Sequence, residues 1–212
     1  SRFYLPPRRN DGNYRRHGQR QIYGRFADPP FFHDVTEGTV KLNGVDVRDM
    51  PQSYLRDHIS YVQQKAWLFS GTIAENLRYS DKTASDEKLM HAADVAQAGD
   101  LIRSLPDGLN AYVAQGGTNF SGGQRQRLSI ARALVKKPEL FIFDDSFSAL
   151  DFKTDAALRR ALANETSDAA VLIITQRIST IRHAEQIIVL HDGQMVGKGT
   201  HDELMQTCDV YR

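Results

Sequence analysis

Residues 119–151 read NFSGGQRQRLSIARALVKKPELFIFDDSFSALD. The stretch opens on a small, flexible turn, Ser121-Gly122-Gly123, that leads directly into a helical pattern. It then crosses a Lys-Lys-Pro break into a short apolar run, residues 140–143, which ends in two carboxylates, Asp144 and Asp145. Each part suits a site for a phosphorylated ligand. A Ser-Gly-Gly turn at a helix N-terminus exposes backbone N–H groups to an anion. A buried strand that delivers two aspartates to its carboxyl end places negative charge where Mg²⁺ and a water can sit. Either feature alone is compatible with an ordinary helix–strand unit. Both in this order, on one stretch, set the reading of the rest.

Outward from this stretch, the pattern is orderly from Asp34 onward. A strand is expected over residues 39–42, a tight turn at Asn43-Gly44, and a return over residues 45–47. A short helix follows over residues 52–57, then a strand over residues 59–62 that ends at Gln63 and Gln64. Thr72, with Glu75 three residues later, forms a capping-box pattern. Residues 86–98 read as a helix stopped by Gly99, and residues 101–105 continue helically to a Pro106-Asp107-Gly108 turn. With the helix over residues 121–136, they make a helical insert between strands, about residues 72–137. Residues 140–143 and 171–174 are continuous apolar runs of the kind buried parallel strands show. Residues 155–164 form the crossover helix between them. A late hairpin, residues 186–190 and 194–196 around His191-Asp192-Gly193, precedes a last helix that Thr200 and Glu203 cap and that runs to the end. The alternation implies an α/β fold, a three-layer core with a helical subdomain.

Composition narrows the function. A chain of 212 residues, 41% hydrophobic, buries one sizeable core, or a core with a small satellite. A net charge of +1 favours neither nucleic acid nor an anionic membrane surface, and no nucleic-acid partner is expected. The single Cys208 permits no internal disulfide, which fits a reducing compartment. No run approaches the roughly 18 apolar residues of a membrane span, and no signal peptide is visible. Any membrane part of an assembly is therefore expected elsewhere.

The order and spacing of residues 34–212 closely resemble the ATP-binding-cassette (ABC) ATPases, a P-loop NTPase-like fold. Ser121, Gly122, Gly123 and Gln124 match the signature motif, residues 140–144 the Walker B strand, and Ser148-Ala149-Leu150-Asp151 the D-loop. Gln64, at the close of a strand, stands where the family has its Q-loop glutamine. The resemblance implies ATP and Mg²⁺ as ligands, with Asp144 and Gln64 holding the metal. It also implies a second nucleotide-binding domain, because in this family the signature turn closes over the γ-phosphate bound by the opposite subunit. The segment WLFSGTIAENL, residues 67–77, is similar to the stretch that ABC exporters set against their transmembrane domains. Its Trp67, Leu68 and Phe69 suit a partner groove, with ordinary core packing as the alternative. Residues 115–118 resemble the exporters' cross-contact segment.

Two residues depart from the family. Asp145 occupies the position of the catalytic glutamate and is one methylene shorter. A base drawn back by roughly an ångström costs about a hundredfold in rate. Gln176, in Ile174-Thr175-Gln176, stands in place of the switch histidine. It can hydrogen-bond a phosphate but cannot become a cation that steadies transition-state charge. Both changes in one site imply a site that holds nucleotide and hydrolyses it poorly. In this family such a subunit pairs with a competent one, so a heterodimer is expected.

Residues 1–33 are anomalous. They cluster arginine, show neither helical nor strand periodicity, and contain no apolar run long enough for a core strand. On composition alone they read as a disordered basic arm. The family's G-x-x-x-x-G-K-[ST] phosphate loop belongs here and is absent. Back-translating residues 8–31 with the codons shifted by one base allows GETMAIIGGTGSGKST, two variable positions, then LLIPRF. Gln19-Arg20-Gln21-Ile22, as CAG-CGG-CAA-ATC, becomes Ser-Gly-Lys-Ser, with the last base taken from Tyr23. The expectation is a frameshifted phosphate-loop segment whose normal frame returns near His33-Asp34, from either a sequencing error or a genuine lesion.

The function expected is the ATP-binding domain of an ABC exporter at the cytoplasmic face of the cell membrane. ATP binding would join two such domains, and hydrolysis would release them and reset the transmembrane domains. Asp145 and Gln176 are the candidate catalytic residues. Gln64, Ser121, Gly122, Gly123, Gln124 and Asp151 are the candidate nucleotide contacts, with Gln64 and Asp144 for the metal. The rivals are a soluble ABC ATPase of repair or translation and a decayed, non-catalytic cassette.

Overall fold

The computed structural model describes residues 38–212 and the backbone of residues 19–22. The frameshift expectation for residues 1–33 otherwise lies outside the described residues. In chain order the elements are β1 (Gln19–Ile22), β2 (Lys41–Leu42), β3 (Val45–Asp46), α1 (Gln52–His58), β4 (Ile59–Val62), β5 (Gly71–Thr72), α2 (Ile73–Leu77), α3 (Asp86–Val95) and α4 (Gly99–Ser104). They continue with β6 (Tyr112–Val113), α5 (Gly122–Val135), β7 (Leu140–Asp144), α6 (Phe152–Glu165), β8 (Ala170–Ile174), α7 (Ile178–Ile181), β9 (Gln186–His191), β10 (Gln194–Gly199) and α8 (His201–Thr207). The main sheet has the order β10-β9-β1-β8-β7-β4. Strand β1 runs parallel to both β8 and β9, and β10 runs antiparallel to β9. The described residues divide into two compact units, residues 19–22, 38–59, 138–142 and 168–212, and residues 60–137 and 143–167.

In the first unit, β1 was not legible from its residues, which are polar except at Ile22. Strand pairing acts through the backbone: Gln21 sits in register between Ile173 of β8 and Ile187 of β9, and successive residues of β1 turn their peptide groups to alternate neighbours. Both predicted turns form. Asn43 and Gly44, then Asp192 and Gly193, take positive φ, the geometry that matches strand twist in a two-residue hairpin. The return strand is shorter than residues 45–47, because Asp46 accepts a hydrogen bond from Arg48 N–H and caps a 3-10 turn that begins at Val47. Ile181, Ala184, Ile187, Val189, Leu204, Cys208 and Tyr211 form one apolar cluster. The last helix stops at Thr207 instead of running to the end. Cys208 leaves helical geometry, which lets Cys208 and Tyr211 turn back into that cluster.

In the second unit, Leu77, Leu89, Leu128, Ile130, Leu158 and Leu162 are fully buried, supplied by α2, α3, α5 and α6. The Thr72–Glu75 capping box forms as read. Helix α3, capped by Ser85, ends at Val95 instead of Ala98, because Gln97 adopts a left-handed φ of 59°. Gly99 is the first residue of α4 and does not stop α3. A Cβ there would lie 1.7 Å from Asp94 Oδ1, the carboxylate that Arg103 binds, so a side chain at this position would displace that carboxylate.

Candidate functional site

Strand β7 is buried from Leu140 to Phe143 and emerges at a half-buried Asp144. The strand ends there because Asp145 turns to φ 42°, a left-handed conformation that aspartate tolerates better than most residues. The turn that follows is held from within. Ser148 donates to the Asp145 carbonyl from both N–H (3.2 Å) and Oγ (2.8 Å). The buried Phe147 packs against the Phe143 ring at 5.3 Å.

The exit of β4 grips this turn residue by residue. Tyr61 Oη donates to Asp144 Oδ2 at 2.8 Å. The Val62 carbonyl accepts from the buried Ser146 Oγ at 2.8 Å. The Gln63 carbonyl accepts from Gln126 Nε2 of α5 at 3.2 Å. Gln64 Nε2 donates to Asp145 Oδ2 at 3.0 Å. Gln64, Asp144 and Asp145 are thus brought together, each with one oxygen outside these bonds. Two carboxylates and a carboxamide are hard oxygen donors, too few to enclose a cation. That set fits Mg²⁺, which keeps several waters and takes its remaining ligands from phosphates. Among the described residues no group of three or more His, Cys, Asp or Glu could hold a metal.

The signature residues cap α5. Ser121 Oγ accepts from Gln124 N–H at 3.2 Å, and Gln124 Oε1 accepts from Ser121 N–H at 2.8 Å, so the turn is a reciprocal capping box. Gly122 has open space where a Cβ would stand, whereas a Cβ on Gly123 would come within 3.3 Å of the Ala149 carbonyl. Asp151 caps α6: its carboxylate accepts from Thr154 N–H at 2.9 Å and Oγ1 at 2.6 Å. The Thr154 hydroxyl, then its backbone N–H, hold that carboxyl below its ordinary value. Gln176 belongs to the first unit, exposed just beyond β8.

The two other predicted segments meet within the second unit. Gly116 N–H donates to the Leu68 carbonyl at 2.9 Å, and Gly116, at φ 72°, lies against the Trp67 ring. Trp67 and Phe69 are 47% and 40% exposed while Leu68 is fully buried, so the trio divides between surface and core. Phe69 stacks on Tyr79 at 4.8 Å, and Arg132 lies 5.6 Å from the Phe69 ring centroid. Sequence reasoning missed Asn76, which is buried. It accepts from Phe69 N–H and donates to the Phe69 and Thr72 carbonyls. Tyr61, Gln126 and Ser146 were missed as well. A glutamine among the buried positions of α5 was the one available signal.

A family profile described as ABC transporter matches residues 27–148. The chain is 46% identical over 182 residues to an uncharacterized ABC transporter ATP-binding protein of Mycobacterium tuberculosis, covering 84% of this chain and 31% of that protein. It is 40% identical over 182 residues to an ATP-dependent lipid A-core flippase of Chromobacterium violaceum, covering 86% of this chain and 31% of the flippase. Among solved structures, it is similar to a bacterial Atm1-family ABC exporter with ATP bound, at a TM-score of 0.87 and 32% identity, over 92% of this chain and 36% of that one. The chain spans about a third of the length of these relatives.

Proposed function

The chain belongs to the ABC transporter family as an ATP-binding domain, and from that premise we propose that it drives an exporter while hydrolysing ATP slowly at its own site. The observation that carries this reading is the cluster of Gln64, Asp144 and Asp145, in which aspartate stands where the family has glutamate. Asp144 and Gln64 would hold Mg²⁺, and that ion would supply charge neutralisation for the phosphates. Asp145 is short for a base, and its Oδ2 is engaged by Gln64 at 3.0 Å. Gln176 would contribute a neutral hydrogen bond to phosphate where a cation is wanted. Ser121, Gly122, Gly123 and Gln124, with Asp151 as a further nucleotide contact, would close over ATP held by a second, competent domain. The partners are then a different ABC subunit and transmembrane domains at the cytoplasmic face of the membrane. The helical subdomain occupies about residues 72–137 of the cassette, residues 34–212.

A frameshifted phosphate loop in residues 1–33 completes the proposal. In support, the family match begins at residue 27, beyond the loop that the shifted codons spell. A decayed cassette remains the second reading, favoured by the absence of G-x-x-x-x-G-K-[ST] from the chain as written. The test compares the chain as written with one carrying the shifted-frame sequence over residues 8–31. The restored chain is expected to bind ATP with Mg²⁺ tightly and turn it over slowly alone, and the written chain to bind weakly. Robust turnover by the restored homodimer would sink the slow-site reading. Failure of the restored chain to bind ATP would favour decay. Resequencing the gene tests the frame itself.

A further inference from the structure

We propose that Tyr61 is a positioning residue for the metal-holding carboxylate: its hydroxyl fixes Asp144 so that one oxygen stays available to a divalent cation. The inference rests on the reading of Asp144 as the metal-holding aspartate. Strand β4 alternates, with Ser60 and Val62 buried and Tyr61 half-buried between them. The ring covers the strand while the hydroxyl reaches a polar partner, here Asp144 Oδ2 at 2.8 Å. Three residues on, Gln64 makes the equivalent bond to Asp145 Oδ2. One strand exit therefore gives each carboxylate a single donor, and both donors are neutral. Neutrality matters. A lysine or arginine at either position would cancel the negative charge that attracts the cation, whereas a hydroxyl orients the carboxylate and leaves its charge in place. Without the hydroxyl, the terminal carboxylate torsion of Asp144 is broad and weakly constrained, and the metal must order it on binding.

The test uses the full chain and Mn²⁺ as probe. Paramagnetic broadening of the Asp144, Asp145 and Ser146 amide signals of labelled protein gives the affinity. Thermal unfolding without metal reports the fold. Asp144→Asn is expected to abolish broadening at this site. Tyr61→Phe is expected to weaken Mn²⁺ about tenfold while the metal-free midpoint stays within about 2 °C of wild type. If Asp144→Asn loses the metal and Tyr61→Phe does not, this inference alone falls. If broadening survives Asp144→Asn, the metal reading falls and this inference with it. A weakened Tyr61→Phe whose metal-free midpoint has also dropped assigns Tyr61 to the fold and overturns the proposal.

Discussion

Replacing Ser121 by alanine separates what the signature turn does for the fold from what it does for nucleotide. The Oγ accepts the Gln124 N–H at 3.2 Å, and the return bond from Ser121 N–H to Gln124 Oε1 spans 2.8 Å. Alanine removes the first bond and keeps the second. Losing a serine cap costs about 1 kcal/mol, and glycine at the same position costs only a few tenths. The body of α5 is pinned by Leu128, Ile130, Ala131, Leu134 and Val135, all buried, so the loss falls on the first turn. About 1 kcal/mol corresponds to roughly a fivefold change in an opening equilibrium. Amide hydrogen exchange without nucleotide should therefore show Gln124 exchanging about five times faster in Ser121→Ala. Arg125, whose N–H is bonded to the Ser121 carbonyl at 2.9 Å, should change little. Urea unfolding should lose about 1 kcal/mol with an unchanged slope. Unchanged exchange at Gln124, or a Ser121→Gly variant less stable than Ser121→Ala, would refute the capping argument.

Asn76→Leu removes three hydrogen bonds around residues 69–72 and leaves the Phe69 and Thr72 backbone groups without that partner. It should cost about 3 kcal/mol and shift the emission of Trp67, the single tryptophan; a variant as stable as wild type contradicts this. Asp81 is held at about 2 instead of 3.8, first by the Lys88 ammonium and then by the Thr83 hydroxyl and N–H. A depressed folded-state value stabilises fully above about pH 3.8 and is lost as pH falls toward 2. Unfolding midpoints of Asp81→Asn should thus fall less steeply than wild type between about pH 4 and 2, and equal slopes would count against the ion pair. A Cβ on Gly197 would meet Cys208 Sγ at 2.9 Å and Leu204 Cδ2 at 3.0 Å. Gly197→Ala should cost about 1–3 kcal/mol and speed labelling of the buried Cys208 thiol; labelling at the wild-type rate would show that the hairpin yields without strain.

Where local chemistry was sufficient, the residues announced the structure. The caps read at Thr72 and Thr200 and the Asn43-Gly44 and Asp192-Gly193 turns are satisfied within a few residues of themselves, whereas the capping box at Ser121 reads from the residues only as a flexible turn. The apolar runs of β7 and β8 read as strands and form them. Where a distant partner decides, the residues misled. Gly99 looked like a helix stop and instead opens α4 beside the Asp94 carboxylate. Residues 19–22 looked unfit for a strand, yet the neighbouring strands supply their backbone partners. Trp67, Leu68 and Phe69 looked alike, and only burial separates Leu68 from the other two.

The motif order by itself determined the family and the α/β architecture and put Gln64, Asp144 and Asp145 forward as candidates, because spacing along one chain carries that information. Only the tertiary structure decided that Tyr61, Val62, Gln63 and Gln64 each hold a different point of the carboxylate turn or of α5. Those bonds join residues more than sixty positions apart. A tyrosine hydroxyl or a buried glutamine has no periodicity that names its partner; the fold brings the partner within 2.8–3.2 Å.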